Sequence, residues 1–252
     1  MEILENILKN IEEDASVQEV RRGLFWTAVV SRRCGLASTM AQGGCSHEES
    51  GGLEGSVTNM SALGLARYGL KGGMERVSMG LAAINSLIEV DPSRCSDVEG
   101  LKLVKDLGKG KNISVIGHFP SLDALAREVK NLWIIEKRPR AGDYPEERGN
   151  DLIPQSDIVV ISSTTLINKT LSGILGLCRK GSVKMLLGPS TPLSEVLFDY
   201  GIDVLAGSAV TEKESVLKSV SEGASFLQLK KHGGVRFVTL IRDYDDLVRR
   251  LL

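Results

Sequence analysis

The sequence has little that would direct it to a membrane, to nucleic acid or to an oxidising compartment. No apolar run approaches the roughly 20 residues that span a bilayer, and residues 1–14 are acidic and helix-periodic, unlike a signal peptide. A formal net charge of -1 supplies no long-range field that would attract nucleic acid or an anionic membrane. The four cysteines form no CxxC pair and are expected to be thiols: Cys34, Cys45, Cys95 and Cys178. We therefore expect a cytoplasmic protein whose partners include neither nucleic acid nor a membrane.

The motifs of several common enzyme classes are also absent. The sequence contains no nucleophile elbow, no Walker A loop and no HExxH helix. Metal ligation needs side chains that converge, and the one dense candidate run is Cys45-Ser-His47-Glu-Glu. A single Cys and a single His lack the paired spacing of a zinc site. We predict no metal ligands, and a loop site that adds Cys34 is the alternative.

What the sequence does contain is typical of a folded protein with two parts. Hydrophobic residues make up 42% of the chain and charged residues 25%, as in ordinary globular proteins. The 252 residues are enough for two domains, and the residue pattern changes between positions 92 and 111. We predict an α+β domain over residues 1–100 and a Rossmann-like α/β domain over residues 101–252.

The N-terminal part combines helices with a hairpin. Residues 1–13 have apolar side chains at helical spacing, which predicts an amphipathic helix. Apolar runs on both sides of Gly23 favour an antiparallel hairpin of two or three strands. Gly, Ser and Thr dominate from Cys34 to Gly55, which predicts a long loop. Helices are expected around residues 59–68 and 75–89.

Beyond Gly110, short apolar runs alternate with helical patterns, as in a parallel sheet that is buried on both faces. The predicted strands are ISVIG, LWIIE, DIVVIS, VKMLLG, IDVLAG and VRFVTL. Right-handed crossovers would build a doubly wound sheet from them. Thr211 and Glu214 have the spacing of a capping box that would start a late helix.

Polar residues follow most of these strands. In open α/β sheets ligands bind beyond the carboxyl ends of the strands, and hydroxyls and exposed amides at helix starts can bind phosphate, carboxylate or carbonyl groups. The candidate binding residues at these strand ends are Gly117, Ser163, Thr164, Thr165, Gly188 and Ser190. The alternative is that the hydroxyls only cap helices.

Glu136 is a further candidate binding residue. It ends the second strand 19 positions after Gly117, close to the offset of roughly 20 residues at which Rossmann sites place an acid on ribose hydroxyls. The turn after Gly117 lacks the second and third glycines that let a pyrophosphate approach the backbone, which disfavours a dinucleotide. The alternative is a surface ion pair with Lys137 or Arg138.

His118 and Asp143 are candidate proton-transfer groups. His118 follows a strand and could act near neutral pH as a base or as a ligand. Asp143 and Tyr144 lie in a proline-stiffened loop that could close over a cleft, with Asp143 as acid or base and Tyr144 stacked on a ring. A structural histidine and solvated loop charges are the alternatives.

An ordered set of motifs spans nearly the whole chain. The set is Gly35-Leu-Ala-Ser38-Thr39, Gly80-Leu-Ala-Ala-Ile-Asn85, Gly117-His118-Phe-Pro, Glu136-Lys-x-Pro, Gly142-Asp143-Tyr144-Pro and Pro154-x-x-Asp157. With these motifs the sequence resembles the heavy-metal chelation family of uncharacterised prokaryotic proteins. The resemblance implies a domain similar to the enolase N-terminal fold, followed by a Rossmann-like domain partly similar to methyltransferases.

The resemblance also implies a site that combines residues of both domains. It picks out Ser38, Thr39 and Asn85 in the first domain, and His118, Glu136, Asp143, Tyr144 and Thr164 in the second. The implied ligand is a small heteroaromatic or chelator-like molecule of the pterin, flavin or siderophore type, which the protein would condense or hydrolyse. A non-catalytic binder of a metal or metal chelate and a methyltransferase-like binder of S-adenosylmethionine are the alternatives. The cofactor is unknown, with a metal chelate as one candidate. The sequence does not determine the oligomeric state, and a homo-oligomer is one alternative.

Overall fold

The computed structural model describes residues 2–41, 53, 55–120 and 122–251. In the N-terminal part the elements are α1 (Glu2–Lys9), β1 (Glu19–Arg22), β2 (Trp26–Val30), β3 (Cys34–Ser38), α2 (Ala62–Leu70), α3 (Met74–Leu87), β4 (Cys95–Ser96) and α4 (Gly100–Leu107). The remaining elements are β5 (Asn112–Ile116), α5 (Leu122–Ala126), β6 (Asn131–Glu136), β7 (Tyr144–Pro145), α6 (Gly149–Leu152), β8 (Ile158–Ser162), α7 (Thr164–Ile167), α8 (Leu171–Leu177), β9 (Val183–Leu187), β10 (Val204–Val210), α9 (Lys213–Ser221), α10 (Phe226–His232), β11 (Val235–Ile241) and α11 (Tyr244–Leu251).

A small antiparallel sheet has the strand order β1-β2-β3. The prediction of a loop from Cys34 is wrong for its first five residues, because Cys34–Ser38 pair with all of β2, from Trp26 opposite Ser38 to Val30 opposite Cys34. The small residues of β3 have a packing role. A side chain at Gly35 would clash with the backbone of Ala82 and Ser86 in α3, so glycine here lets helix and strand lie in close contact.

The helices of this part bury the faces that the sequence predicts. In α1, Ile3, Leu4, Ile7 and Leu8 are buried. Helix α2 begins at a Ser61 cap, whose side chain accepts a hydrogen bond from the Gly64 N–H at 3.2 Å. Helix α3 is buried along most of its length.

A large sheet has the strand order β4-β11-β10-β9-β8-β5-β6-β7. The pairs among neighbouring strands from β10 to β7 are parallel, and β4 pairs antiparallel with β11. From β5 the chain moves outward to β6 and β7, then returns to the other side of β5 at β8. This reversal is the topological switch point of a doubly wound sheet.

Both faces of the large sheet are covered. Side chains on one face pack with α4, α5 and α11 in a single apolar cluster that includes Ile113, Val115, Val160 and Met185. The alternate residues of these strands, whose side chains lie on the other face of the sheet, are also buried. Val159, Ile161 and Leu186 are at most 2% exposed, as two-sided burial requires. The predicted fold class is confirmed: a mixed α/β chain with a small antiparallel sheet and a large, mostly parallel sheet with helices.

The late helices differ from the prediction in their starts. Helix α9 begins at Lys213 and has no side-chain cap, so the predicted capping box of Thr211 and Glu214 is wrong. A capping box does occur at Ser225 and Gln228, before α10. Gly223, with a φ of +71°, ends α9 in a left-handed turn that favours glycine, and α10 begins three residues later, at Phe226.

The chain divides into two compact units that are discontinuous in sequence. The first comprises Met1–Val90, Pro189–Ser194 and Ser208–Phe237, and the second comprises Asp91–Gly188, Glu195–Gly207 and Val238–Leu252. In the first unit, α9 and α10 join the small sheet through a buried cluster that includes Trp26, Leu36, Val216 and Leu229. The division into domains 1–100 and 101–252 stays a prediction. Within the described ranges, every helix is too short or too polar to cross a membrane.

Candidate functional site

The switch point of the large sheet brings together the ends of β5, β6 and β8 in the second unit. Strand β5 pairs with β6 on one side and with β8 on the other, so the segments that follow these three strands meet at one edge. The residues at this edge that carry or position polar groups form what we call the strand-end site: Gly117, His118, Glu136, Asp143, Ser162 and Thr164.

Gly117 turns the chain sharply at the end of β5. Its φ of +103° lies in the region that favours glycine, and its N–H donates to the Ile135 carbonyl at 3.0 Å. A Cβ at this position would lie 3.0 Å from the Cβ of Ser162. The end of β5 is therefore close to the end of β8, and a larger residue would push the two apart.

His118 and Asp143 are brought together, as the resemblance implies. The imidazole Nδ1 lies 3.4 Å from Asp143 Oδ2, and the two side chains are 29% and 3% exposed. A distance of 3.4 Å is longer than a good hydrogen bond, but catalytic contacts are often long before a ligand binds. The carboxylate favours a proton on Nδ1, which leaves Nε2 to accept one from a ligand.

Asp143 is held in place by its own loop. Its Oδ2 accepts a hydrogen bond from the Arg140 N–H at 3.0 Å, and its N–H donates to the Arg140 carbonyl, also at 3.0 Å. Gly142, with a φ of +93°, completes the turn. These contacts fix the Asp143 side chain, and its role as acid or base stays a prediction.

Tyr144 begins the short strand β7, opposite Ile135 of β6. The Arg148 guanidinium carbon lies 5.8 Å from the centre of its ring, within the range of a cation–π contact. The ring thus already has a partner in its own chain. Its stacking on a ligand stays a prediction.

Glu136 ends β6 beside Gly117, because Ile135 pairs with Ile116 in parallel register. Its Oε2 accepts a hydrogen bond from the Lys137 N–H at 2.9 Å. The Lys137 ammonium instead lies 3.5 Å from Glu146. Within the described part of the chain, no ion pair joins Glu136 to Lys137 or Arg138, and the binding role of Glu136 stays a prediction.

Four hydroxyl residues follow one another at the end of β8, and two of them are buried while two are partly buried. Thr165 donates to the Ser162 carbonyl at 2.6 Å, and Ser163 is 2% exposed, with its N–H bonded to the Leu187 carbonyl at 2.9 Å. Ser162 and Thr164 are partly buried and bond to each other at 2.8 Å between Oγ and Oγ1. Ser162 belongs to the same polar run but not to the predicted binding residues, and the structure places its hydroxyl beside that of Thr164.

Gly188 ends β9 with a φ of +133°, and a Cβ there would lie 2.6 Å from Ser163 Oγ. The two residues are therefore in close contact, and a side chain at Gly188 would displace the Ser163 hydroxyl. The roles of Gly188, Ser163 and Thr165 in ligand binding stay predictions.

Three other predicted residues meet in the first unit, at the outer edge of β3. Ser190 Oγ accepts from the Ser38 N–H at 2.7 Å and donates to Ser38 Oγ at 3.0 Å. The Asn85 amide donates to the carbonyls of Leu36 and Ser190 at 2.8 and 3.2 Å. These bonds fasten the segment around Ser190 to an edge strand, which would otherwise leave its backbone groups unpaired.

Asn85 and Thr39 differ in how their polar atoms are used. Two carbonyl acceptors fix which end of the Asn85 amide carries the nitrogen, and among the described residues its Oδ1 has no hydrogen-bond partner. Buried Thr191 Oγ1 is likewise unpartnered within those ranges. Thr39 Oγ1 lies 2.9 Å from Thr27 Oγ1. The ligand-binding and catalytic roles of Ser38, Thr39, Asn85 and Ser190 stay predictions, since their visible contacts stabilise the first unit.

No group of three or more His, Cys, Asp or Glu side chains that could hold a metal occurs among the described residues. The candidate run with Cys45 and His47 lies outside those residues. Burial raises the pKa of the Cys34 thiol to about 12 and that of Cys178 to about 11. Both thiols are therefore poor sources of the thiolate that binds metals.

Comparisons with known proteins agree on one family. Two family models, both described as "Putative heavy-metal chelation", match residues 4–88 and 99–239. A solved protein of unknown function from the DUF364 family of Desulfitobacterium hafniense is 27% identical, with a TM-score of 0.80, over 96% of this chain and 98% of that one. A DUF364 protein of unknown function from Pyrococcus horikoshii, 20% identical with a TM-score of 0.77 over 95% and 98% of the two chains, shares the fold.

A curated relative also matches over part of its length. It is an uncharacterized protein of Methanocaldococcus jannaschii, 26% identical over 160 residues, which are 61% of this chain and 62% of that protein. The second of the two family models alone covers more than half of the chain, and it includes every residue of the strand-end site. The chain belongs to the heavy-metal chelation family of DUF364 proteins.

Proposed function

We propose that the strand-end site binds a small heteroaromatic or chelator-like molecule of the pterin, flavin or siderophore type, and that His118 moves a proton in its condensation or hydrolysis. The observation that carries this proposal is the pair of His118 and buried Asp143 at the switch point. Ligands of open α/β sheets bind at this place. The family's connection with heavy-metal chelation favours a chelator or its precursor as the ligand.

The chemistry of the pair suits general acid–base catalysis. A carboxylate that is almost fully buried and held by the Arg140 N–H orients the imidazole. The imidazole itself is 29% exposed and can therefore meet a ligand. Ser162 and Thr164 offer hydroxyls at the neighbouring strand end, where they can fix the orientation of the ligand.

The test begins with calorimetric titration of the purified protein with pterin, flavin mononucleotide and 2,3-dihydroxybenzoate. We expect at least one to bind, and His118→Ala to weaken its binding by about tenfold, the loss of one hydrogen bond to a chargeable group. His232→Ala is the matched control, because His232 lies in α10 of the first unit. Turnover of a bound compound that is unchanged in both His118→Ala and Asp143→Asn would remove the pair from the mechanism.

A second candidate function is non-catalytic binding of a metal or a metal chelate, which the family description favours. The candidate ligands are Cys34, Cys45 and His47, and the raised pKa of Cys34 disfavours the thiolate form that binds metals. Metal analysis of the purified protein and of Cys45→Ala and His47→Ala tests it, with Cys178→Ala as the control. Equal metal content in all of them would exclude a site on these residues.

A third candidate is a methyltransferase-like protein that binds S-adenosylmethionine. The position of Glu136 next to Gly117 favours it, because acids at this place bind ribose hydroxyls in Rossmann-like sheets. Fold analogy alone does not establish an activity. Absence of binding in calorimetry at millimolar S-adenosylmethionine would end this candidate.

A further inference from the structure

We infer that the first unit contains a second binding site, between Asn85 and the Ser190–Thr191 dipeptide, which takes a neutral amide group with its N–H beside its C=O. This site is independent of the strand-end site, whose residues all belong to the second unit. The amide can be part of a ring, as a lactam, or an open carboxamide, since both present the same donor and acceptor. A set of buried hydrogen-bonding groups without partners carries the argument.

The segment from Pro189 to Ser194 belongs to the first unit, but Ser190 and Thr191 lie in neither a helix nor a strand. Ser190 is 0% exposed and Thr191 is 2% exposed. Buried backbone outside regular structure must find other partners for its N–H groups. The N–H groups of Ser190 and Thr191 donate to no backbone carbonyl of the described residues, so the dipeptide carries two unmet donors.

Two side-chain oxygens beside this dipeptide are unmet as well. Thr191 Oγ1 and Asn85 Oδ1 are buried, and neither has a hydrogen-bond partner within the described ranges. The Asn85 nitrogen is in use, because it donates to the carbonyls of Leu36 and Ser190 at 2.8 and 3.2 Å. The site therefore has one fixed acceptor, two donors and a hydroxyl that can act as either. Buried polar groups without partners are rare in folded proteins, which points to a bound group here.

The unmet groups do not satisfy one another, because Asn85 lies on the carbonyl side of the peptide bond between Ser190 and Thr191. This peptide bond is trans, and in a trans peptide the N–H points away from the carbonyl. The dipeptide is also held from its other side, since Ser190 Oγ accepts the Ser38 N–H at 2.7 Å. A bound group must therefore bring its own donor to Asn85 and its own acceptor to the N–H groups.

A charged occupant would be opposed by part of the site. An anion suits the N–H donors but meets the Asn85 oxygen, and a cation suits that oxygen but meets the donors. The segment has the sequence PSTPLS, and its hydrogen bonds run to Ser38, Asn85 and Ser208, which are all uncharged. A buried charge needs a partner of opposite sign. A neutral amide instead offers its carbonyl to the donors and its N–H to Asn85 Oδ1.

The experiment uses the full chain and two pairs of probes that differ in the N–H alone. The ring pair is 2-piperidone and δ-valerolactone, in which an ester oxygen replaces the N–H. The open pair is nicotinamide and methyl nicotinate. Binding is followed by NMR titration of the ¹⁵N-labelled protein, with the backbone signals of Ser190 and Thr191 and the side-chain amide signal of Asn85 as reporters.

Three variants test the hydroxyl of Thr191. Thr191→Val removes it with little change in shape, and Thr191→Ser retains it. Thr239→Val is the matched control, because Thr239 is 1% exposed and its hydroxyl already donates to the Val98 carbonyl at 2.7 Å. Without a probe, we expect Thr191→Val to raise the melting temperature, since it removes an unmet buried hydroxyl, and Thr239→Val to lower it, since it breaks a hydrogen bond.

We expect at least one amide to bind about tenfold more tightly than its ester, the effect of one buried hydrogen bond, and to shift all three reporter signals. Thr191→Val should weaken this binding by about tenfold, while Thr191→Ser and Thr239→Val bind as the wild type does. A preference within the first pair identifies a lactam, and a preference within the second identifies a carboxamide.

Three results would overturn the inference. The first is equal binding within both pairs or no shift of the reporter signals at millimolar concentration, which would leave water as the occupant. The second is undiminished amide binding in Thr191→Val. The third is a fall in the melting temperature of Thr191→Val as large as that of Thr239→Val, which would show that the Thr191 hydroxyl already has a partner in the chain.

Discussion

His118 Nδ1 lies 3.4 Å from Asp143 Oδ2, and the carboxylate side chain of Asp143 is only 3% exposed. The two residues are 25 positions apart in the sequence and lie in two different loops of the large sheet. Strand β5 delivers the histidine, and the loop between β6 and β7 delivers the aspartate. A buried acid that faces a partly exposed imidazole supports a role for His118 at a ligand rather than in the core.

Gly35 is expected to tolerate no side chain. Gly35→Ala should lower the free energy of unfolding by about 1–3 kcal/mol or more, the cost of overpacking, because a Cβ would clash with the backbone of Ala82 and Ser86. Urea unfolding followed by circular dichroism measures the loss.

Gly173→Ala is the control for this substitution. Nothing lies within 4 Å of a Cβ at Gly173 in α8, so alanine should raise stability by about 0.5–1 kcal/mol. Equal effects of the two substitutions would contradict a packing role for Gly35.

Removal of the Asp203 carboxylate should lower the free energy of unfolding more than removal of the Asp106 carboxylate, although both form salt bridges. Its side chain is 7% exposed, lies 2.6 Å from the Arg250 guanidinium and accepts the Lys184 N–H at 2.8 Å. Asp203→Ala removes one of the two carboxylate partners of the partly buried Arg250 and leaves the Lys184 N–H without its acceptor. We expect a loss of about 1–3 kcal/mol in the free energy of unfolding.

The exposed pair of Lys102 and Asp106 provides the comparison. Its two atoms also lie 2.6 Å apart, but the side chains are 65% and 52% exposed. Asp106→Ala should cost less than about 1 kcal/mol. If chemical unfolding gave similar losses for both aspartates, burial would not be what makes Asp203 important.

The Cys34 thiol should make stability depend on pH in the alkaline range. Burial raises its pKa from 9.0 to about 12, so the folded chain keeps a proton that the unfolded chain releases. The contribution is fully present below the unfolded pKa and is lost as pH rises through the folded pKa. Linkage limits the loss to about 1.4 kcal/mol per pH unit.

The Cys34→Ala variant isolates this effect. From about pH 8 to about pH 10, the stability of the wild type relative to the variant should fall by about 1.4 kcal/mol. Unfolding curves of both proteins at the two pH values test it, since other titrating groups cancel in the difference. A constant difference would show that the folded state does not hold the thiol in its protonated form.

The predicted strands of the large sheet agree closely with the structure because two-sided burial leaves a simple signal, a short run of apolar residues between turns. β8, Ile158–Ser162, matches the predicted DIVVIS within one residue. The place of Glu136 beside Gly117 was also predictable, because consecutive parallel strands end at the same edge.

The small sheet was harder to predict. β3 reads CGLAS and has the composition of a loop, yet a full ladder with β2 and close contact with α3 hold it as a strand. The sequence predicts a late helix but not what α9 and α10 pack against, which is the sheet of the first unit. Tertiary contacts decide such cases, and a single sequence does not encode them in its local pattern.

The candidate site was likewise only partly predictable from the sequence. Strand ends located His118, Glu136 and Thr164, but not the hydrogen bonds that occupy Thr165 and tie Ser38 to Ser190. Those bonds join residues through turns or across 152 positions of the chain. Residue type alone could not separate a hydroxyl that is free for a ligand from one that caps a turn.

The most direct test of the strand-end site is a histidine-labelled NMR titration. The chain has three histidines, so their imidazole signals can be assigned with single His→Ala variants. On addition of pterin, flavin mononucleotide, adenosine or 2,3-dihydroxybenzoate, we expect the His118 signals to shift for at least one compound while those of His232 stay in place. Binding detected by calorimetry without any shift at His118 would contradict a ligand site at the switch point.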